Sequence, residues 1–326
     1  MIKAGVIGGS GYTAGELIRL LLNHPDVELQ WVHSNSNAGR TVDSIHQGLI
    51  GEAPDLLFTD EVQLNNIDVV FFCTPHGEAH KWIEQHKEMI PDDLKIIDLS
   101  NDYRINDGTH DFVYGLPELN RKPLVRGAKH VANPGCFATA IQLAVLPLAK
   151  NGLLGKEIHV NGITGSTGAG AKLSSTSHFS WRNDNVSVYK PFTHQHLAEI
   201  YQTLKEADPN GEFHINFIPM RGGFSRGILV TVYFDSDLKA EEVKKMYEDY
   251  YDDHNFTFVI DRTPDLKDVV NTNKCVIHIE KIGEKLLITS VIDNLLKGAS
   301  GTAVHNMNLL FGLHEKTGLN LKGTAF

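Results

Sequence analysis

The chain has 326 residues, 41% of them hydrophobic and 21% charged, enough for two globular domains. Its formal net charge of −10 argues against nucleic acid and anionic membrane surfaces as partners, while leaving room for a small anionic substrate held by local cations. Three widely spaced cysteines, Cys73, Cys136 and Cys275, make no disulfide framework, the N-terminus shows no cleavable signal pattern, and no apolar run nears the roughly 20 residues of a bilayer span, so a cytoplasmic protein is expected.

In chain order, Ile2–Ile7 is an apolar run that predicts a buried strand, and Glu16–Leu22 has helical spacing. Val27–Val32, Asp68–Cys73 and Lys95–Ser100 predict further strands, with helical stretches between most of them. This alternation implies a Rossmann-type, doubly wound parallel sheet. The pattern changes at Cys136. Phe137–Ala149 reads as one helix, with Pro147 near its end. Strands are then expected at Glu157–Thr164, Glu212–Ile218, Gly227–Asp235, Asn255–Ile260, Cys275–Lys281 and Lys285–Asp293. Helices at Leu197–Ala207 and Lys239–Asp252 interrupt them. Several of these strands alternate apolar with polar, as antiparallel strands do. The expectation is an α/β chain: a dinucleotide-binding domain over 1–135, completed by a C-terminal helical segment over 298–326, and an α+β catalytic and oligomerisation domain over 136–297 with a mainly antiparallel sheet.

Gly9-Ser10-Gly11-Tyr12-Thr13-Ala14 follows the first strand and opens the first helix. That is the context in which a G-x-G-x-x-G/A loop holds a pyrophosphate on backbone N–H groups. An NAD site places a carboxylate after the second strand. The stretch His33–Arg40 has none; it offers Ser34, Ser36 and Arg40, which suit the 2′-phosphate of NADP. Thr74 and Pro75 lie just past the third predicted strand, on the edge that faces the ligand crevice in such sheets.

Cys136 stands in Asn133-Pro134-Gly135-Cys136-Phe137-Ala138-Thr139, at the mouth of the long helix. Unpaired amides and the positive end of the helix dipole favour thiolate, the nucleophilic form. The plain alternative is a small buried hydrophobe. An acyl-accepting thiolate needs a proton donor. His196, three residues before Glu199 in His194-Gln195-His196-Leu197-Ala198-Glu199, is the candidate, and Glu199 could orient the ring. The same residues could also be a metal cluster or simply a polar helix entry. Arg104 and Arg226, each beside a predicted strand, are candidate contacts for an anionic substrate. Asp102 is an alternative partner for Arg104. Gly162–Lys172 is a second glycine-rich stretch, without phosphate-loop spacing, that reads as a loop lining a site.

Val131–Ala140 continuing through Ala144-Val145-Leu146-Pro147, the loop Gly8–Leu17, the Asp98–Arg104 stretch and Asn294–Gly301 resemble the corresponding segments of the N-acetyl-gamma-glutamyl-phosphate reductase family, and the resemblance covers essentially the whole chain. It implies a fold shared with aspartate-semialdehyde dehydrogenase, Cys136 as nucleophile and His196 as acid–base. It further implies NADPH-dependent reduction of an acyl phosphate to a semialdehyde through a Cys thioester, in arginine biosynthesis. The implied cofactor positions are Gly8, Ser10, Gly11, Tyr12, Thr13, Ser34, Ser36, Arg40, Thr74, Pro75, Gly168 and Asn294; the implied substrate positions are Arg104, Asn133, Glu199 and Arg226; no metal is called for. Arg221-Gly222-Gly223 departs from the family pattern, which is more apolar there. This leaves the acyl group open between N-acetyl and N-succinyl, with aspartyl phosphate as the shorter rival substrate. A cofactor-sensing protein without activity and a metal enzyme built on His194 and His196 are the alternatives from other classes. A homodimer or homotetramer is expected.

Overall fold

The computed structural model describes residues 1–325. The chain divides into two units, Met1–Pro134 with Ala299–Asn320, and Gly135–Gly298 with the tail from Leu321. In chain order the first unit contributes β1 (Ile2–Ile7), α1 (Tyr12–Leu22), β2 (Val27–His33), β3 (Phe58–Thr59), β4 (Val69–Phe72), α2 (Glu78–His86), β5 (Lys95–Asp98), β6 (Val113–Tyr114), α3 (Pro117–Val125) and β7 (His130–Ala132). The second contributes α4 (Cys136–Lys150), β8 (Glu157–Thr164), α5 (Phe179–Arg182), β9 (Ser187–Val188), α6 (His196–Ala207), β10 (His214–Arg221), β11 (Ile228–Asp235), α7 (Ala240–Tyr251), β12 (Thr257–Val259), β13 (Cys275–Ile282) and β14 (Lys285–Ile292). After a single π turn at Leu296–Ser300, α8 (Gly301–Leu310) belongs to the first unit.

The first unit is built on a seven-stranded sheet, β3-β2-β1-β4-β5-β7-β6, parallel at every pairing. The strand order reverses between β1 and β4, and both strands end there at the crevice edge. All four residues of β4 are buried, as expected of a strand covered on both faces. The short strands β3, β6 and β7 were not anticipated, because two or three residues carry no readable period. The α8 helix lies against α1 and α3. Its polar residues Asn306 and Asn308 are buried because they bond to backbone: Asn306 Nδ2 donates to the Gly115 carbonyl, and Asn308 Nδ2 to those of Glu315 and Thr317.

The second unit carries a seven-stranded mixed sheet, β12-β13-β14-β11-β8-β10-β9. It is mainly antiparallel, but β8 with β10 and β12 with β13 run parallel. Burial alternates along β8 and β11, so one face packs inward. That face is covered by α4, with α6 and α7 alongside. The domain expectation put all of 298–326 with the first domain. The structure instead ties the tail to the second unit, where Asn271 Nδ2 donates to the Lys322 carbonyl at 2.8 Å and Thr324 N–H to that of Val270 at 3.2 Å.

Every residue of α4 from Phe137 to Ala149 is buried, which makes its backbone polar groups hard to satisfy wherever the ladder breaks. Pro147 breaks it, since it has no N–H for the Leu143 carbonyl. The Tyr251 hydroxyl of α7 donates to that carbonyl at 2.7 Å, and Tyr247 donates to the next one, Ala144. The buried proline is thus tolerated because a neighbouring helix supplies the missing donor. Tyr251→Phe should destabilise the second unit by about 1–3 kcal/mol, the cost of a buried carbonyl left without a donor. Urea unfolding monitored by tryptophan fluorescence checks this; an unchanged midpoint would show the hydroxyl is dispensable.

Candidate active site

Gly135 is the N-cap of α4 in extended conformation, and no side chain of its own caps the helix. The Glu199 carboxylate does so from α6, where Oε2 accepts the Gly135 N–H at 2.9 Å in a buried setting. The bend has little room. A Cβ on Gly135 would lie 2.4 Å from His196 Nε2, and one on Gly298 would lie 2.8 Å from the Cys136 Cβ. Only glycine at both positions lets the imidazole and the π turn close on this helix start. Cys136 is the first residue of α4, partly exposed, with the remaining N-terminal amides around it.

Glu199 and His196 lie one turn apart on α6 and reach the same bend, Glu199 through hydrogen bonding and His196 through the Gly135 contact. Beside its expected role of orienting the ring, Glu199 also holds the loop amide of Gly135. His194 Nδ1 accepts the His196 N–H at 3.2 Å, and its ring meets Phe137, Tyr189, His196 and Phe217 edge to face. Burial pushes His194 down to about 4, with Lys190 and Arg221 adding to the effect, so it is neutral at physiological pH. Among the described residues no group of three His, Cys, Asp or Glu side chains is arranged to hold a metal.

Arg226 pairs with the fully buried Asp293, Nε donating to Oδ2 at 3.1 Å. Asp293 Oδ1 accepts the Leu295 and Leu296 amides, and Oδ2 also accepts that of Asn271. Asn294 Oδ1 accepts the Gly227 N–H, while its Nδ2 donates to Thr167 Oγ1. Gly168 sits in the adjoining turn, Ser166–Ala169, which is stitched to Phe224 and Ser225 by the amides of Ser166 and Thr167. Arg226, Asn294 and Gly168 therefore form one braced corner of the second unit.

In the first unit Gly8 has a positive φ of +83°, and a Cβ there would strike the Cys73 carbonyl. Gly11, the N-cap of α1, faces open space and has no side-chain cap. The bare backbone and open helix start between Ser10 and Thr13 fit a pyrophosphate. Ser300 Oγ anchors the turn by donating to the Thr13 carbonyl at 2.7 Å. Past β2, Asn37 Nδ2 bridges the hydroxyls of Ser34 and Ser36, and Arg40 Nη1 donates to Asn37 Oδ1. This cluster of two hydroxyls and a guanidinium suits a 2′-phosphate. Thr74 and Pro75 follow β4 at the switch-point edge.

Two of the expected substrate positions have bonds within the first unit. Arg104 is 5% exposed and donates to the backbone carbonyls of Asn133 and Leu99. Asn133 Nδ2 donates to the Ala299 carbonyl, and its Oδ1 accepts from Asn306. Asp102 does not pair with Arg104; its carboxylate takes the Gly77 and His80 amides at the start of α2. Asp98, pushed up to about 6 by burial, is held by the Ser100 amide and hydroxyl.

Sequence reasoning missed Tyr189, Arg182 and Asp293, and it raised Arg221 only as a departure from pattern. All four act through long-range contacts, and no local motif marks them. The three thiols differ sharply in setting. Burial, with the Asp98 charge adding, pushes the Cys73 thiol well up, and Cys275 is fully buried against Ser290 Oγ. Iodoacetamide near neutral pH should therefore label Cys136 and spare the other two, as read by peptide mass mapping; labelling first at Cys73 would contradict the electrostatics.

Profiles described as "Semialdehyde dehydrogenase, NAD binding domain" and "Semialdehyde dehydrogenase, dimerisation domain" match residues 3–126 and 136–294. The chain is 64% identical to the N-acetyl-gamma-glutamyl-phosphate reductase of Parabacteroides distasonis and 60% identical to that of Bacteroides thetaiotaomicron, over the full length of both chains in each case. The reductase of the same name from Flavobacterium johnsoniae is 50% identical, again over the whole of both chains. Among solved structures, aspartate semialdehyde dehydrogenase II from Vibrio cholerae superposes with a TM-score of 0.75 at 15% identity, covering 96% of this chain and 99% of that one. The Candida albicans aspartate semialdehyde dehydrogenase with NADP superposes with a TM-score of 0.75 at 17% identity, covering 95% and 98%. These distant likenesses speak to fold, and the close full-length identities speak to family: the chain is a member of the N-acetyl-gamma-glutamyl-phosphate reductase family.

Proposed function

We propose that this chain reduces N-acetyl-γ-glutamyl phosphate to N-acetylglutamate semialdehyde, with release of phosphate, as an NADP-dependent oxidoreductase of arginine biosynthesis. The observation that carries the reading is the helix start at Cys136, closed on one side by His196 against Gly135 and held by Glu199. NADPH, when bound at the Gly8–Thr13 turn and the Ser34, Ser36 and Arg40 cluster, supplies a hydride.

The residues divide the work as follows. His196 takes the Cys136 proton, and the amides at the start of α4 stabilise the thiolate. The sulfur attacks the acyl carbon, the carbon–oxygen bond to phosphate breaks, and a thioester remains on Cys136. After hydride addition the resulting oxyanion lies by the same amides. It re-forms the carbonyl as the carbon–sulfur bond breaks, and His196 returns its proton to sulfur. Glu199 holds the loop, and Arg226 with Asn294 fixes the corner beside the glycine turn.

A homodimer fits this reading. Ile163, Thr231, Tyr233 and Leu287 are half-exposed on the sheet strands, beside residues buried under the helices. The matching profile carries the dimerisation description over residues 136–294. Sedimentation velocity giving the mass of one chain would exclude it. No helix among the described residues is long and apolar enough to cross a membrane.

Cys136→Ser should lose nearly all turnover while still binding NADPH, and His196→Asn should slow turnover by ~10²–10⁴ and flatten the pH–rate profile. Coupled assays with the N-acetyl, N-succinyl and aspartyl phosphates provide the test, the N-acetyl compound being turned over fastest. Normal rates in Cys136→Ser would overturn the thioester route.

A further inference from the structure

One cation of the second unit has no place in the scheme above. Arg221 ends β10, and β9 pairs with it antiparallel, Ser187 opposite Arg221 and Val188 opposite Met220. The next residue, Tyr189, is pinned by its N–H to the Pro219 carbonyl at 3.0 Å. The Arg221 guanidinium lies over the Tyr189 ring, 4.6 Å from its centre. Its Nε is buried and has no hydrogen-bond partner among the described residues, and no carboxylate among them pairs with it. A buried charged donor without an acceptor is costly, so its retention calls for an acceptor that arrives with a ligand.

The surroundings fix this side chain without neutralising it. Arg182, itself 5% exposed, donates from its Nε to the Thr176 carbonyl, from Nη1 to those of Asn185 and Arg221, and from Nη2 to Ser187 Oγ. Lys190 donates to Gln195 Oε1, and His194 is neutral. Asp184, Lys190 and Phe192 all have positive φ, of 51°, 45° and 60°, so the segment holding Tyr189 is strained at three non-glycine positions. The cluster adjoins Cys136 through rings. Tyr189 meets His194 at 5.7 Å, and His194 meets His196 at 4.6 Å and Phe137, the residue after Cys136, at 5.6 Å. The Tyr189 hydroxyl is pushed well up, first by burial and then by the Cys136 thiol, with the charge of Arg221 and a hydrogen bond to it pulling the other way; the Arg221 Nε remains without an acceptor.

We propose that Arg221, stacked on Tyr189, is an oxyanion anchor beside Cys136 that binds a carboxylate or phosphoryl oxygen of the substrate. Arg226 is unlike it, because Asp293 already holds that guanidinium. The Arg221 fork lies over the ring and keeps its Nε donor unmatched, and a planar guanidinium is the group that recognises such anions. The proposal rests on the acyl-phosphate reading.

The reverse reaction separates the two sources of the oxyanion, since semialdehyde and inorganic phosphate are varied independently with NADP. Arg221→Gln should raise the KM for one of them about tenfold to a hundredfold, with the KM for NADP unchanged. A rise for phosphate assigns the phosphoryl group, and a rise for semialdehyde assigns the carboxylate. Arg221→Lys, which keeps the charge without the fork, should recover part of the loss. Both KM values unchanged in a variant with native circular dichroism would overturn the anchor. If the unaltered chain does not turn over these compounds, the reaction assignment fails on its own. Inorganic phosphate and N-acetylglutamate are then the probes, read by protection of Cys136 from iodoacetamide. Protection that disappears in Arg221→Gln supports the anchor; protection that is equal in both proteins, or absent, overturns it.

Discussion

A single buried hydrogen bond, from the Gly135 amide to the Glu199 carboxylate, governs the geometry at Cys136. A helix start leaves amides without intrahelical partners, and glycine at the N-cap has no side chain to offer them. The partner comes from α6, 64 residues further along the chain. The carboxylate also complements the positive end of the α4 dipole. Because His196 sits one turn before Glu199, the helix that holds the bend also delivers the imidazole to it. Capping and chemistry are therefore one constraint: α6 cannot shift without moving both groups.

The same economy appears in the scaffold. The mixed sheet of the second unit needs an apolar helix on its covered face, and α4 is buried almost throughout to serve it. A helix so deeply packed cannot turn to water where Pro147 interrupts its ladder. Tyr251 supplies the missing donor instead and Tyr247 bonds the next carbonyl, and the two tie α7 to the helix that begins at the thiol. Rigidity at the sulfur is thus inherited from packing at the far end of α4.

Three arginines of the second unit show how differently one residue type is used. Arg182 is consumed by loop carbonyls and a hydroxyl, Arg226 by a buried aspartate, and Arg221 by the face of a tyrosine ring. Stacking leaves the hydrogen-bonding edge of a guanidinium in reach of a ligand, whereas ion pairing and carbonyl bonding do not. A chain with net charge −10 can hold an anion in this way, because a desolvated local cation outweighs a screened global field.

What the sequence determined by itself was whatever depends on near neighbours. The apolar run of β4, the alternation along β8 and β11, and the glycines opening α1 are short-range patterns, and they set the two architectures and the cofactor loop. Cys136 at a helix mouth was readable for the same reason. The short strands β3, β6, β7 and β9 were not, nor was the parallel pairing of β8 with β10, which sequence alternation does not distinguish. The partners of the charged groups lay beyond reach altogether. Glu199 caps a distant bend, Asp102 caps α2 rather than meeting Arg104, and Asp293 claims Arg226. Only the tertiary structure decided these, because a buried charge takes whichever partner the folded chain brings within about 3 Å, and that distance bears no relation to separation along the sequence.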